Sequence, residues 1–373
     1  MIPYGRHSVN DEDISFVTEA LKSDWLTTGP LVDAFELALQ KVVGAPCISV
    51  SSGTAALHCA YAAIDLRPGD EVITPPITFI ATQATAALFG AKIVFVDVQP
   101  DTGNIDPQRV ESAITSRTKA IVAVDFAGHP ADLDELRLIA DRHNVFLIED
   151  AAHSIGSIFR GRPVGSVADI TTFSFFPTKN MTTGEGGAVA SIHPHLLERA
   201  RRFSRQGLIR NPSEFKVVGQ GKWHQEVHEF GLNYRLPDIL CALGISQLGR
   251  LKTTKLCKRE IFDTYVKELF DVDEISLPVE RDYVDVNWHL FPIRVEPSKR
   301  TLLFDFLRES GIGVQVNYIP AYWHPVFRDM GLQAGEFPIS DHFYSQEISL
   351  PMYSSLRNTE QEVVISTVKE FFS

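Results

Sequence analysis

Short runs of β-branched and apolar residues alternate with stretches of helical apolar spacing from about residue 45 to residue 192. Strands that alternate with helices predict a mostly parallel sheet, with a helix crossing over between successive strands. Such sheets carry their ligands at the carboxyl ends of the strands, so the residues directly after each run are candidates for chemistry. The runs are CISV (47–50), EVIT (71–74), KIVFVDV (92–98), AIVAVDF (120–126) and VFLIED (145–150).

The remainder of the chain predicts a second, smaller unit. Residues 208–229 are polar and contain glycines, which indicates a long loop or flap. Residues 236–269 have a helical pattern, after which the order is strand, helix, strand (312–320) and helix. We therefore expect an α/β fold with a large domain over residues 1–250, the N-terminal segment included. A linker helix and a small C-terminal α+β domain are expected over residues 251–373.

Composition and charge exclude several classes of partner. The 373-residue chain is 44% apolar with a formal net charge of −12, which suits a globular protein and lacks the basic footprint of a nucleic-acid-binding protein. No window approaches the roughly 20 apolar residues of a membrane span, and the N-terminus lacks the pattern of a signal peptide. The four scattered cysteines form no CxxC pair and predict neither disulfides nor a metal site. We expect a cytoplasmic protein without nucleic-acid or membrane partners.

Four features carry chemistry, and the first is the segment SSGTAALH (51–58). It follows the run CISV and opens a helix, so the backbone N–H groups of Gly53 and Thr54 can approach an anion at the helix N-terminus. Thr54 also supplies a hydroxyl. Taken alone, Ser-Gly-Thr is more often a plain helix cap, so this feature needs the support of others.

The second and third features are a carboxylate and a lysine. Asp150 ends the run VFLIED and is either a helix cap or a partner for a buried cation; in pyridoxal chemistry an aspartate keeps the pyridine nitrogen protonated. His153, three residues later, could face the same ring. Lys179 lies in a glycine-rich turn after a strand-like segment, and a lysine whose pKa is lowered forms Schiff bases. A lone lysine is more often an exposed loop residue, but Ser174, five residues earlier, is placed to bind a phosphate oxygen.

The fourth feature is Phe79, which follows the run EVIT and could either stack on a pyridine ring or pack in the core. The order of the four features distinguishes a cofactor site from the ordinary structural explanation of each feature taken alone. A glycine-threonine phosphate turn, an aromatic residue, a strand-end aspartate and a lysine after a later strand occur together in sites for pyridoxal phosphate. The sequence therefore predicts a pyridoxal-phosphate enzyme in which Lys179 carries the cofactor.

These residues and their surroundings resemble the DegT/DnrJ/EryC1/StrS family of sugar aminotransferases over nearly the whole chain. Within that family the chain is most similar to the C4 aminotransferases that act on UDP-4-keto-6-deoxy-N-acetylhexosamines in pseudaminic acid biosynthesis, which serves cell-surface polysaccharides. The resemblance implies a fold-type I transferase, with a mostly parallel seven-stranded sheet flanked by helices. The segments that carry it include IPYGR, WLTTGP, SSGTAAL, PGDEVITPPITF, IEDAAHSIGS, FSFFPTKNMTTGEGG, GLNYRLPD and VQVNYIPAYW.

The resemblance also implies a role for each candidate residue. Lys179 would be the catalytic lysine that carries pyridoxal phosphate and moves protons, and Asp150 would pair with the pyridine nitrogen. Asn233 would reach the phosphate of the neighbouring subunit, which implies a homodimer with composite sites. The implied cofactor-binding residues are Gly53, Thr54, Ala55, Phe79, Asp150, His153, Ser174, Lys179 and Asn233. The implied substrate-binding residues are Tyr4, Trp25, Leu26, Thr27, Thr28, Ala56, Asn317 and Tyr318.

The implied reaction moves an amino group from L-glutamate to C4 of the UDP-linked keto sugar, with 2-oxoglutarate as the second product and pyridoxamine phosphate as the intermediate cofactor form.

Three alternatives stay open. A dTDP-4-keto-6-deoxyhexose C3 or C4 aminotransferase would use the same site. A dehydratase on this scaffold is disfavoured, because such relatives replace the residue at Lys179 with histidine. A catalytically silent ligand-binding relative would not need Lys179, Asp150 and Ser174 together.

Overall fold

A computed structural model of the chain describes residues 1–217 and 219–373. Its centre is a seven-stranded sheet in the order β1-β9-β8-β5-β4-β2-β3. The neighbouring pairs among β2, β3, β4, β5 and β8 are parallel, whereas β9 runs antiparallel to β1 and β8. The strands of the chain are β1 (Cys47–Val50), β2 (Glu71–Thr74), β3 (Lys92–Phe95), β4 (Thr118–Val124), β5 (Phe146–Asp150), β6 (Ile158–Phe159), β7 (Arg162–Pro163), β8 (Ile170–Ser174), β9 (Gly187–Ala190), β10 (Leu208–Ile209), β11 (Glu226–Val227), β12 (Val284–Asp285), β13 (Phe291–Arg294) and β14 (Glu347–Leu350).

Helices cover this sheet and build the rest of the molecule. They are α1 (Asp11–Lys22), α2 (Pro30–Val43), α3 (Gly53–Ala63), α4 (Ala81–Ala87), α5 (Pro107–Ala113), α6 (Leu133–His143), α7 (Pro194–Phe203), α8 (Asp238–Gly249), α9 (Leu251–Leu269), α10 (Pro297–Glu309), α11 (Pro325–Arg328), α12 (Pro338–Gln346) and α13 (Asn358–Phe372). Within the described residues, no helix combines the length and the apolar character needed to cross a membrane.

Side chains on the two faces of the sheet pack into different hydrophobic clusters, because successive side chains of a strand point in opposite directions. Val72 and Val122 belong to the cluster that contains α3 and α7, whereas their neighbours Ile73 and Ile121 belong to the cluster that contains α6. The predicted mostly parallel, seven-stranded α/β fold is therefore confirmed. It brings the carboxyl ends of β2, β4, β5 and β8 to one edge of the sheet.

One predicted strand of the C-terminal part, residues 312–320, is not formed. Segment 312–320 forms isolated bridges at Ile312 and Gln315 instead of a regular strand, and β14 is the strand that pairs with β13. The backbone N–H of Asn317 donates to the side chain of Glu347 at 2.6 Å, so it is not available for a ladder. Helices α8 and α9 meet near residue 250, and the domain boundary between residues 250 and 251 stays a prediction.

The predicted flap over residues 208–229 contains the short strand pair β10–β11, and Val218 within it lies outside the described residues. Glu226 organises this segment. Its carboxylate accepts hydrogen bonds from the backbone N–H groups of Lys216 and Val217, each at 2.8 Å, and contacts the rings of His224 and His228. The carboxylate of Glu226 thus joins both ends of the flap's central part, in addition to the pairing of β10 with β11.

Candidate active site

Lys179 lies in the turn that follows β8, five residues after Ser174, the last residue of that strand. Its backbone N–H donates to the carbonyl of Phe176 at 2.9 Å, which shapes the turn. Burial lowers the pKa of Lys179 to about 8, and the negative charge of Asp150 opposes part of that shift. A lysine with a lowered pKa is uncharged in a larger fraction of molecules near neutral pH than an ordinary lysine is. The uncharged amine is both a nucleophile and a proton acceptor.

Asp150 is the last residue of β5 and its carboxylate is buried at the edge of the sheet. Its Oδ2 accepts a hydrogen bond from the Thr82 hydroxyl at 2.7 Å, and its Oδ1 accepts from the N–H of Ala152 at 3.3 Å. Burial raises the pKa of Asp150, while these hydrogen bonds and the charge of Lys179 act in the opposite direction. A buried carboxylate in this setting favours a cationic partner such as a protonated ring nitrogen.

His153 completes one wall of the site, three residues after Asp150. Its Nε2 lies 3.1 Å from the Tyr318 hydroxyl, and its ring centroid lies 4.3 Å from that of His289. Burial, together with the charge of Lys179, lowers the pKa of His153 well below its usual value, so the imidazole is neutral. Its Nδ1 is buried without a hydrogen-bond partner among the described residues.

The start of helix α3 faces the end of β8. The Ser52 hydroxyl caps the helix by accepting from the N–H of Ala55 at 3.0 Å. A side chain at Gly53 would come within 2.8 Å of Ser174 Cβ, so glycine is what allows the helix N-terminus and Ser174 to approach each other. Thr54 is exposed beside them. The helix N-terminus and the hydroxyls of Thr54 and Ser174 together offer the donors that a phosphate needs.

These features fit the cofactor that the sequence predicts. Pyridoxal phosphate requires an amine to bind its aldehyde, a buried carboxylate for its ring nitrogen and donors for its phosphate. Lys179, Asp150 and the Gly53–Ser174 approach meet these three requirements at one edge of the sheet. The unpaired Nδ1 of His153 marks a further buried polar atom at this edge that could contact a bound group.

Three of the predicted substrate residues form one connected group. The side-chain amide of Asn317 donates to the Tyr4 hydroxyl at 2.7 Å and to Ser349 Oγ at 3.0 Å. Tyr318 follows Asn317 and lies with its ring centroid 6.2 Å from that of Phe79, which is 59% exposed. The group therefore reaches the candidate cofactor residues through Tyr318, whereas Asn317 itself is only 6% exposed.

Other predicted residues lie apart from this group among the described contacts. Trp25, Leu26, Thr27 and Thr28 form an exposed segment before α2. Asn233 is exposed and forms an isolated backbone bridge with Arg205. Ala55 and Ala56 are buried in α3, and the N–H of Ala56 already donates to the Ser52 carbonyl at 3.0 Å. The contacts therefore give no support to sugar binding by Ala56, and that role stays a prediction.

Four neighbours of the site escaped the sequence-based prediction. The Thr82 hydroxyl donates to Asp150, the ring of His289 packs against that of His153 at an angle of 49°, and Asn180 links the turn of Lys179 to other segments. Lys258, on α9, binds Asn180 at 2.6 Å. Asn180 lies within the quoted segment FSFFPTKNMTTGEGG and Thr82 lies three residues after PGDEVITPPITF, but no local pattern distinguishes Lys258 from an ordinary helical lysine.

Comparison with known proteins places the chain in a family. A model of the DegT/DnrJ/EryC1/StrS aminotransferase family matches residues 7–369. The chain is 36% identical over 378 residues to the UDP-4-amino-4,6-dideoxy-N-acetyl-beta-L-altrosamine transaminase of Campylobacter jejuni, covering 99% of this chain and 96% of that protein. These matches extend over nearly the full length, so they include every element of the candidate site.

Solved structures agree with this assignment. The sugar aminotransferase Spr1654 of Streptococcus pneumoniae in its PMP form has a TM-score of 0.94 at 29% identity, covering 100% of this chain and 99% of that one, and its PLP form is also similar. PseC of Helicobacter pylori, an aminotransferase of pseudaminic acid biosynthesis, has a TM-score of 0.92 at 30% identity, with 100% and 99% covered. The chain therefore belongs to the DegT/DnrJ/EryC1/StrS aminotransferase family and is a pyridoxal-phosphate-dependent aminotransferase of the nucleotide-sugar type.

Proposed function

We propose that this enzyme transfers the amino group of L-glutamate to C4 of a UDP-linked 4-keto-6-deoxy-N-acetylhexosamine, a step of the pseudaminic acid type. The observation that carries the transaminase chemistry is the placement of Lys179 beside the buried carboxylate of Asp150. The sugar class rests on the relatives, because the Campylobacter protein is named for a UDP-linked amino sugar and PseC for pseudaminic acid biosynthesis.

The residues of this chain divide the work of the reaction. Bound pyridoxal phosphate supplies a ring that withdraws electrons from the carbon next to the amino nitrogen. Lys179 would hold the resting cofactor until the amino donor displaces it, and its freed amine would then take the proton from the α-carbon of the donor and deliver it to the cofactor. Asp150 holds a proton on the ring nitrogen, because a buried carboxylate is stabilised by an adjacent positive charge. His153 and Phe79 would contact the cofactor ring.

The remaining roles concern binding and assembly. Gly53, Thr54, Ala55 and Ser174 bind the phosphate in this proposal. Tyr4, Asn317 and Tyr318 form one side of the sugar pocket, and the exposed segment from Trp25 to Thr28 forms another. Asn233 reaches the phosphate site of a second subunit, so the active form is a homodimer with composite sites. A cytoplasmic location stays a prediction, which the scattered free cysteines support.

The test combines a variant with a panel of acceptors. Lys179→Ala should remove both the visible absorbance of the bound cofactor and turnover, since Lys179 is the amine proposed to hold the cofactor; Lys252→Ala, an exposed lysine of α9, is the control. Wild-type protein with L-glutamate should convert UDP-linked 4-keto-6-deoxy sugars to amino sugars, read by mass spectrometry. Normal turnover in Lys179→Ala would refute the catalytic role, and reaction with dTDP sugars alone would refute the sugar class.

A further inference from the structure

Lys258 is a buried lysine without an acidic partner among the described residues. Its residue is 5% exposed, and its Nζ donates a hydrogen bond to Asn180 Oδ1 at 2.6 Å. A buried ammonium group ordinarily has a carboxylate beside it, because an unpaired charge is costly away from water. Burial, with repulsion from Lys255, lowers the pKa of Lys258 to about 7. The buried amine of Lys258 is therefore held by its hydrogen bond to Asn180 and not by an ion pair.

Asn180 connects this lysine to the active site. It directly follows Lys179 in the chain, and its Nδ2 donates to the carbonyl of His153 at 2.9 Å and to the carbonyl of Asn287 at 2.7 Å. Both N–H bonds of the amide therefore point at carbonyl oxygens, and its own oxygen faces Lys258. The turn of Lys179 is thereby tied to the segment after Asp150 and to helix α9 at once.

Basic groups are concentrated around this connection. The ring of His289 packs against that of His153 at an angle of 49°, and burial together with the positive charges of Lys179 and Lys258 lowers the pKa of His289 well below its usual value. A positive charge on Lys258 therefore disfavours a second one nearby. Lys258 lines a crevice whose other titratable or charged groups are Arg6, His7, Lys179, Arg250, His289 and Tyr353. Lys255, on the same helix, also repels the charge of Lys258.

We propose that Lys258 is a positioning residue for Lys179, which it holds in place through the hydrogen bond to Asn180. This inference rests on the proposed role of Lys179. The amine of Lys258 orients Asn180, and Asn180 keeps the Lys179 turn against the backbone of His153 and Asn287. Because transfer of a proton by Lys179 depends on its placement to within about 1 Å, loss of this support lowers the rate more than the affinity for substrate.

The test uses Lys258→Met, with Lys252→Met as the matched control from the exposed side of α9. We expect Lys258→Met to lower kcat about tenfold with KM nearly unchanged. Lys252→Met should change neither quantity. Equal values for the two variants would overturn the inference.

A double-variant cycle separates positioning from a general structural effect. If Lys258 acts through Asn180, the losses in kcat of Lys258→Met and Asn180→Ala will not add in the double variant. Additive losses would contradict the proposal. Lys258→Gln, which keeps a donor but no charge, replaces the Met variant in the same cycle if that variant does not fold. Retention of the cofactor band in Lys179→Ala would instead refute the proposed function, so the two failures are distinguishable.

Discussion

At the scale of single residues, the groups around the candidate site are shifted toward their uncharged forms. Burial lowers the pKa of Lys179 to about 8 and that of His153 further below its usual value, while it raises the pKa of Asp150. In Asp150 this shift is opposed by Thr82 and by Lys179. Asp150, the carboxylate that must stay charged, is thus supplied with hydrogen-bond donors. Lys179, the amine that must lose its proton, has no hydrogen-bond partner on its side chain among the described contacts.

Glu347 gives a prediction at this scale. Burial raises its pKa from the ordinary 4.5 to about 8, so the folded protein holds a proton that the unfolded chain releases at lower pH. The stability from this proton is complete below the unfolded pKa and is lost as pH rises through the folded one. Glu347→Gln cannot ionise, so between pH 5 and pH 8.5 it should gain roughly 1–3 kcal/mol in unfolding free energy relative to the wild type.

Urea unfolding at several pH values measures this difference. Glu362→Gln, an exposed glutamate of α13, is the control and should show a constant difference from the wild type. A constant difference for Glu347→Gln as well would show that Glu347 ionises in the folded protein as it does in the unfolded chain.

At the scale of elements, the start of helix α3 shows how a helix N-terminus becomes a binding feature. The Ser52 cap satisfies one backbone donor, and the absence of a side chain at Gly53 lets Ser174 approach. The N–H groups of the first turn are left to face the end of β8. This approach joins two elements that are more than 100 positions apart in the sequence.

Gly53→Ala tests this approach. The added Cβ would lie 2.8 Å from Ser174 Cβ, so either β8 or α3 must move. We expect about tenfold weaker binding of pyridoxal phosphate and a loss of about 1–3 kcal/mol in stability from overpacking. Titration of the apoenzyme by absorbance measures the first effect. Gly249→Ala, where nothing lies within 4 Å, is the control; unchanged cofactor affinity in Gly53→Ala would contradict the predicted phosphate site.

At the scale of the whole molecule, side chains distant in sequence hold the ends of helices. Asp238, on α8, accepts hydrogen bonds from the backbone N–H of Gly29 at 2.8 Å and of Leu31 at 3.1 Å. It thereby caps α2, whose own cap residue is a glycine without a side chain. The exposed segment from Trp25 to Thr28, the proposed second wall of the sugar pocket, enters the fold through this cap.

Asp238→Ala should therefore act on both stability and substrate binding. Loss of the cap should lower the unfolding free energy by about 1–2 kcal/mol, as for other helix caps. If the Trp25–Thr28 segment contacts the sugar nucleotide, KM for that substrate should rise while the affinity for pyridoxal phosphate stays the same. Denaturant unfolding and steady-state kinetics measure the two effects, with exposed Asp282→Ala as the control. An unchanged KM would remove the segment from the proposed sugar pocket.

Much of the fold and of the candidate site could be predicted from local patterns. The runs around Val72 and Leu147 predicted strands because β-branched, apolar side chains are buried on both faces of a parallel sheet. Asp150 could be singled out because it ends such a strand, and Lys179 because it lies in the turn after a later one. Segment 312–320 was predicted wrongly as a strand. Its apolar spacing is a local pattern, whereas the hydrogen bond that takes the N–H of Asn317 out of a ladder goes to Glu347, 30 residues away.

The sequence by itself determined the α/β fold through strand periodicity and the cofactor through the order of a few short motifs. The family and the type of reaction followed from the resemblance of these motifs and their surroundings to a known family. Only the tertiary structure decided that Thr82, Asn180, His289 and Lys258 surround the site. It also decided that Asn317 is buried in a network with Tyr4. The physical reason is that burial and hydrogen bonding join residues that lie far apart in the chain, and a local pattern contains no information about such partners.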